Sequence, residues 1–168
     1  MGAGTREADM AGAAITLEEF KAYGGRQLAP SAWIPIEQRR VDLFAECTDD
    51  HQFIHVDAGR ARRETPFGGT IAHGFLTLSL ISAHQPADLP RIQGLTFELN
   101  YGLDRVRFLA PVRVGARVRI LTRVLSVEDK GPGRVLFKME KTLEIEGEAK
   151  PGYVAEQLGM FIVEDKKK

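Results

Sequence analysis

Two histidines and three carboxylates fall within eleven residues, Cys47 to Asp57, in the stretch CTDDHQFIHVD. Groups of these types support two kinds of chemistry. They can ligate a metal ion, or they can hold and ionise a water molecule. A carboxylate converging with an imidazole is the minimum equipment for handling water. One group takes a proton from it, and the other manages a proton on the substrate. The pair that fits is Asp50 and His55, five positions apart. In a helix that offset turns the side chains roughly 140° from one another. In a strand an odd offset puts them on opposite faces. They converge only on irregular backbone, with Phe53 and Ile54 between them as apolar anchors pushed into the core, and function often sits on such segments. Without convergence the two groups form a surface ion pair. Spacing alone leaves both readings open.

The run HQFIH differs by one letter from the helical zinc motif H-E-x-x-H. That motif needs both histidines on one helical face, a third ligand and a glutamate as general base. Gln52 stands where the glutamate should be, and an amide takes no proton at neutral pH. The segment also lacks a helix-forming run. His73 or His84 could complete a metal site, but nothing in their spacing calls for one. No metal is expected. His73, beside a strongly apolar run, reads as a core group, and His51 and His84 as solvent-facing or structural.

The elements that must position these groups follow from periodicity. Thr16 and Glu19 fit a capping box, which predicts a short helix over about 17–23. GGRQLAPSAWIP is broken by Gly and Pro and reads as a connector. Helical spacing of Val41, Phe44 and Ala45 predicts a second helix over about 37–46. Asp57 is placed to cap a third, over 58–64. The stretch IAHGFLTLSLISAHQP is apolar almost all round, which predicts a buried helix over about 74–84 with Leu76, Leu80 and Ile81 in the core and Leu78 on another buried side. Five strand-like runs follow, over 95–100, 106–110, 116–127, 135–145 and 154–163. DKGPGR joins the third and fourth as a hairpin turn. Helices first and an antiparallel sheet after, with one very apolar helix to bury, predict an α+β fold in which the sheet wraps that helix.

At 168 residues the chain suits one domain, over 15–164, with a loose tail at 1–14 and a charged tail at 165–168. The formal net charge is zero, so no global field recruits nucleic acid or an anionic membrane surface. One cysteine, Cys47, excludes an intramolecular disulfide and is compatible with a reducing, cytoplasmic setting. No apolar run approaches the roughly 20 residues that span a bilayer, and the first residues carry acids in place of a secretory leader.

Three blocks in order, DHQFIHVD, TPFGGTIAHGFLTLSL and NYGLDRVRFLAPV, resemble the MaoC-like, or (R)-specific enoyl-CoA hydratase, family, in its nodulation protein N-like branch. The resemblance runs from about residue 15 to 163. It implies the hot-dog fold, a sheet of about five strands around a long central helix, pairing as a homodimer. It implies that Asp50 and His55 are the catalytic pair of the family's D-x-N-P-[LIV]-H motif, with Gln52 and Phe53 departing from the pattern in the middle. Gly74 matches the glycine of the family's I-x-H-G block, whose backbone N–H would bind the thioester oxygen. Ser82, eight residues on, matches a serine that supports the aspartate. The implied reaction is reversible addition of water to a trans-2-enoyl-CoA, giving an (R)-3-hydroxyacyl-CoA. The coenzyme A thioester is the substrate handle, and no further cofactor is implied. Two other readings fit the same fold: an acyl-CoA thioesterase, and a non-catalytic acyl-CoA-binding subunit. No residue is assigned to the coenzyme A phosphates.

Overall fold

The computed structural model describes residues 14–164. The tails expected at 1–14 and 165–168 lie outside that span, except Ala14. That residue begins a two-residue strand, β1 (Ala14–Ile15), which pairs in parallel with β3 (Arg91–Ile92). Helix α1 (Leu17–Lys21) starts as its sequence predicts. The Thr16 hydroxyl accepts from the Glu19 N–H, and the Glu19 carboxylate accepts from the Thr16 N–H. Phe20 is its one fully buried residue and anchors the helix against Phe161.

The connector reading of 24–35 needs one correction. Ile34–Pro35 forms a short strand, β2, antiparallel to the start of β5 (Arg117–Asp129). Proline is tolerated there because β2 is an edge, where a missing N–H breaks no ladder. Helix α2 (Gln38–Thr48) buries Val41 and Ala45 and ends at Asp49, whose φ of 58° puts it in the left-handed region. Next come a single helical turn, α3 (Phe53–Val56), and α4 (Ala58–Glu64), the latter capped by Asp57 as predicted.

The apolar run forms α5 (Gly74–Ser79), which tightens into a 3-10 turn over Leu80–Ser82. Leu76, Leu78, Leu80 and Ile81 are buried in the main core with Ile120, Leu143 and Tyr153. Two expectations change here. The helix is shorter than the predicted 74–84, and it is not buried all round. Phe75, 71% exposed, lies on an outward stripe with Ser79 and Ser82. A residue four positions on shares a helix face, so this stripe is one coherent side.

The sheet has five antiparallel strands in the order β2-β5-β6-β7-β4, with β4 (Leu95–Phe108), β6 (Arg134–Ile145) and β7 (Tyr153–Val163) long enough to curl around α5. This is the hot-dog arrangement. Strict alternation in β6 sends Val135, Phe137, Met139, Leu143 and Ile145 to the core face. The runs predicted at 95–100 and 106–110 are one strand. Register shifts at Asn100/Gly102 and Leu103/Arg105 absorb the Gly and Asp that look like a break. Among the described residues no helix is long and apolar enough to cross a membrane.

Candidate active site

The polar stretch solves its geometric problem by mixing backbone states. The left-handed residue Asp49 ends α2 and turns the chain back. Asp50 then lies on a non-helical link, and His55 on the single turn α3. Several bonds fix that turn. The Ile71 N–H donates to the Ile54 carbonyl at 3.0 Å, tying it to the segment before α5. Gln38 donates from Nε2 to the His55 carbonyl at 2.8 Å and accepts from the Thr70 hydroxyl at 2.6 Å. Phe53 and Ile54 are only half-buried, and Phe53 lies under the Arg60 guanidinium, so backbone and amide bonds do the anchoring expected of them.

His55 is 6% exposed, and its Nδ1 lies 2.8 Å from the Ile71 carbonyl. A carbonyl only accepts, so Nδ1 carries the proton and Nε2 the lone pair. Burial pushes the His55 pKa below its usual value; the Ile71 bond and the Asp50 charge oppose that shift, and His73 adds to it.

His73, which reads from sequence as a core group, is buried but belongs to this site. Its ring stacks on His55 with centroids 3.8 Å apart and planes 25° from parallel. Its Nε2 lies 2.9 Å from the Asp50 main-chain carbonyl and 4.0 Å from the Asp50 carboxylate. One carboxylate oxygen of Asp50 and one nitrogen from each ring lie within 4.8 Å of one another. Two hydrogen bonds of about 2.8 Å meeting at a tetrahedral angle span roughly 4.6 Å, so the separation suits one bridging water. It suits a metal less well. Near-parallel rings aim their nitrogens side by side and not at a common point, and the Asp50 carbonyl already occupies His73 Nε2. The segment 50–55 has no signal pointing to His73, which comes from 23 residues beyond Asp50; only its place beside Gly74 in the sequence hints at it.

His55 and Gly74 are walls of one cleft of about 340 Å³, completed by Ile71, Thr77, Phe108 and Val112. Asp50 is not a wall of it, and its side chain is 54% exposed. The Gly74 N–H opens α5 and has no acceptor among the described backbone bonds. A Cβ at Gly74 would lie 3.1 Å from the Phe108 ring, so a larger residue here would press that ring outward.

Ser82 does not join this group within the chain. It lies at the far end of α5, where its hydroxyl accepts from Asn100 Nδ2 at 3.0 Å and lines a second pocket with Asn100 and Gln157. Eight residues of helical rise put it about 12 Å from Gly74. Among the described hydrogen bonds Ser82 links α5 to β4 and none joins it to Asp50. His51 is exposed near Glu46, and His84 is half-buried.

Comparison with known proteins covers the whole site. Residues 19–148 match the family model described as MaoC like domain. Nodulation protein N from Rhizobium leguminosarum bv. viciae is 48% identical over 141 residues, 84% of this chain and 88% of that protein. The 3-hydroxyacyl-thioester dehydratase Z of Mycobacterium tuberculosis is 44% identical over 147 residues, 88% of this chain and 96% of that one. Among solved structures, the unliganded R-hydratase PhaJ1 from Pseudomonas aeruginosa superposes with a TM-score of 0.64 at 29% identity, covering 84% of this chain and 83% of that chain. With its fold, its cleft and these likenesses together, the chain belongs to the MaoC-like domain family.

Proposed function

We propose that this hydratase-type protein is an (R)-specific enoyl-CoA hydratase, adding water reversibly across the 2,3-double bond of a trans-2-enoyl-CoA. The observation that carries the reading is the convergence of the Asp50 carboxylate with the His55 and His73 rings within 4.8 Å, beside a cleft that His55 shares with Gly74. The relatives' names support the class: a 3-hydroxyacyl-thioester dehydratase runs the reverse direction of the same addition.

Asp50 and His55 hold one water between them. His55 Nε2 takes a proton from that water, and the oxygen bonds to C3 of the acyl chain. Asp50 orients the water, and the proton that His55 took from it is relayed through the pair to C2 on the same face, so that OH is added at C3 and H at C2 and both side chains return to their starting states. Negative charge on the thioester oxygen builds as C3 is attacked, and the Gly74 N–H meets it. Nothing in these steps calls on a metal or redox cofactor. The protein acts as a cytoplasmic homodimer. Support for the dimer is the free edge of β4, which carries exposed Phe97, Leu99 and Tyr101.

The test is a spectrophotometric assay of purified protein with crotonyl-CoA and longer enoyl-CoAs, with chiral analysis of the product. Loss of enoyl absorbance with an (R)-3-hydroxyacyl product is the expected result. Release of free thiol would identify a thioesterase, and tight binding without turnover a non-catalytic subunit; either overturns the reading.

A further inference from the structure

The site holds a second imidazole that the water-handling steps do not use. We infer that His73 is a positioning residue: through Nε2–H it holds the main chain of Asp50, and through its ring face it holds the plane of His55. The kinetic consequence rests on the hydratase reading above; the tautomer does not.

Three contacts and one chain position define the residue. Nε2 lies 2.9 Å from the Asp50 carbonyl oxygen, which can only accept, so Nε2 carries the proton. One face stacks on His55 at 3.8 Å. The ring also meets Phe44 of α2 at a centroid distance of 5.0 Å. Finally, His73 is the residue before Gly74, at the cap position of α5. One side chain thus joins the loop of Asp50, the ring of His55, the body of α2 and the backbone that presents the Gly74 N–H.

An imidazole that merely filled the core would be a poor choice here. Nδ1 of His73 is fully buried and has no hydrogen-bond partner among the described residues. Leaving a buried polar atom unpaired is unfavourable. A phenylalanine of similar shape would fill the same space, stack on His55 and Phe44, and leave nothing unpaired. What phenylalanine lacks is the Nε2–H that reaches Asp50. That bond is the one contact that requires a histidine. It matters because the Asp50 side chain is half exposed and Asp50 follows a left-handed residue, so little else fixes its direction. Among the described hydrogen bonds the only other one to Asp50 is a 3.5 Å contact from the Gln52 N–H to its carboxylate.

Two variants and one spectroscopic measurement test this. His73→Phe keeps the stack and removes the donor; His73→Gln returns an N–H near the Nε2 position. His73→Phe should lower kcat by on the order of tenfold to a hundredfold, the effect of a slightly misplaced reacting group, with KM little changed. His73→Gln should recover most of the loss. A wild-type kcat in His73→Phe, or a kcat in His73→Gln as low as in His73→Phe, overturns the inference. The third measurement needs neither folding of a variant nor turnover. Long-range nitrogen–proton correlation spectra of nitrogen-15-labelled wild-type protein at pH 8 should show His73 as the Nε2–H tautomer and His55 as the Nδ1–H tautomer. An Nδ1–H tautomer at His73 overturns the inference even if the protein is a hydratase. The expected tautomers in a protein without hydratase activity would leave the positioning geometry standing and remove only the proposed reaction.

Discussion

His55 Nδ1 donates to the Ile71 carbonyl at 2.8 Å, so the nitrogen left with a lone pair is Nε2. The nitrogen offered to the proposed water is therefore set by a backbone oxygen two residues before His73, in the segment that leads into α5. Burial is the largest influence on the ring and lowers its pKa from the usual value.

The first prediction concerns pH. A base must be unprotonated to work, so the acid limb of kcat/KM should fall below pH 6.5, the ordinary histidine value. Stability carries the same sign. Below pH 6.5 the unfolded chain binds a proton that folded His55 resists, so stability rises with pH across the window between the lowered folded pKa and 6.5. His84, lowered chiefly by burial and further by Arg40, adds to this slope. Thermal melts from pH 5 to 7 should show Tm rising, with part of the rise lost in His55→Phe. An acid limb at or above pH 6.5 contradicts the assignment of His55 as base.

The proposed pair, Asp50 and His55, separates in a second experiment. Asp50→Asn removes the charge of a half-exposed side chain and should leave Tm unchanged. His55→Gln also leaves the Ile71 carbonyl without its donor, which costs about 1–3 kcal/mol of stability if the carbonyl stays buried. Both should lower turnover by roughly 10²–10⁴, the effect of losing a positioned acid or base. Steady-state rates on crotonyl-CoA, with melts as a folding control, check this. Wild-type rates in both variants would remove the pair from the mechanism.

Local signals in the sequence foretell the local structure. The capping box at Thr16 and Glu19 and the cap at Asp57 depend on neighbours three residues away, and both form as read. The alternation of β5, β6 and β7 and the buried side of α5 are equally legible, because period and burial are tied. Long-range features are not. Strand β2 exists only because β5 offers it an edge. The continuity of β4 across Gly102 depends on bulges against β7. Spacing leaves the convergence of Asp50 and His55 open; it follows from the left-handed turn at Asp49 and the bond from Ile71 to Ile54. His73 reads as core because it is core; only the fold shows what its ring touches.

Lys141 is a case where alternation places a charge inside. It occupies a core-face position of β6, fully buried, with one hydrogen bond, to the Thr122 hydroxyl at 3.2 Å. Burial pushes its pKa down to about 8, while the Glu98 charge pulls it upward. Its one described side-chain hydrogen bond goes to a neutral hydroxyl, so the desolvation of the ammonium is poorly offset, and an apolar side chain of similar length removes that cost. Lys141→Met should therefore raise Tm at pH 7. The wild-type protein should also gain stability as pH rises from about 8 toward 10.5, because the unfolded chain then holds a proton the folded chain has released. The variant should lack that gain. A lower Tm in Lys141→Met would mean that the ammonium group contributes net stability.

The last prediction concerns the free edge of β4. This strand lies at one end of the sheet order, and its outer ladder of N–H and C=O groups meets no other strand among the described residues. Phe97 is 50% exposed, Leu99 47% and Tyr101 62%, an apolar row on a long strand. Monomeric proteins block such edges with lysine, proline or short length, since an open edge templates pairing with another chain. Here Asp104, Arg105 and Arg107 of β4 lie beyond the row of Phe97, Leu99 and Tyr101 and leave it uncovered, and β4 spans 14 residues. A second copy of the chain, laid antiparallel along this edge, would satisfy the ladder and cover the row. Light scattering behind size-exclusion chromatography should give twice the chain mass for the wild type. Leu99→Lys adds a charge of the kind that blocks edges and should shift the protein toward monomer at low micromolar concentration, with unchanged far-UV circular dichroism. A wild-type protein that runs as a monomer at every concentration would rule out the edge as a dimer interface, and the exposed row would then need another cover.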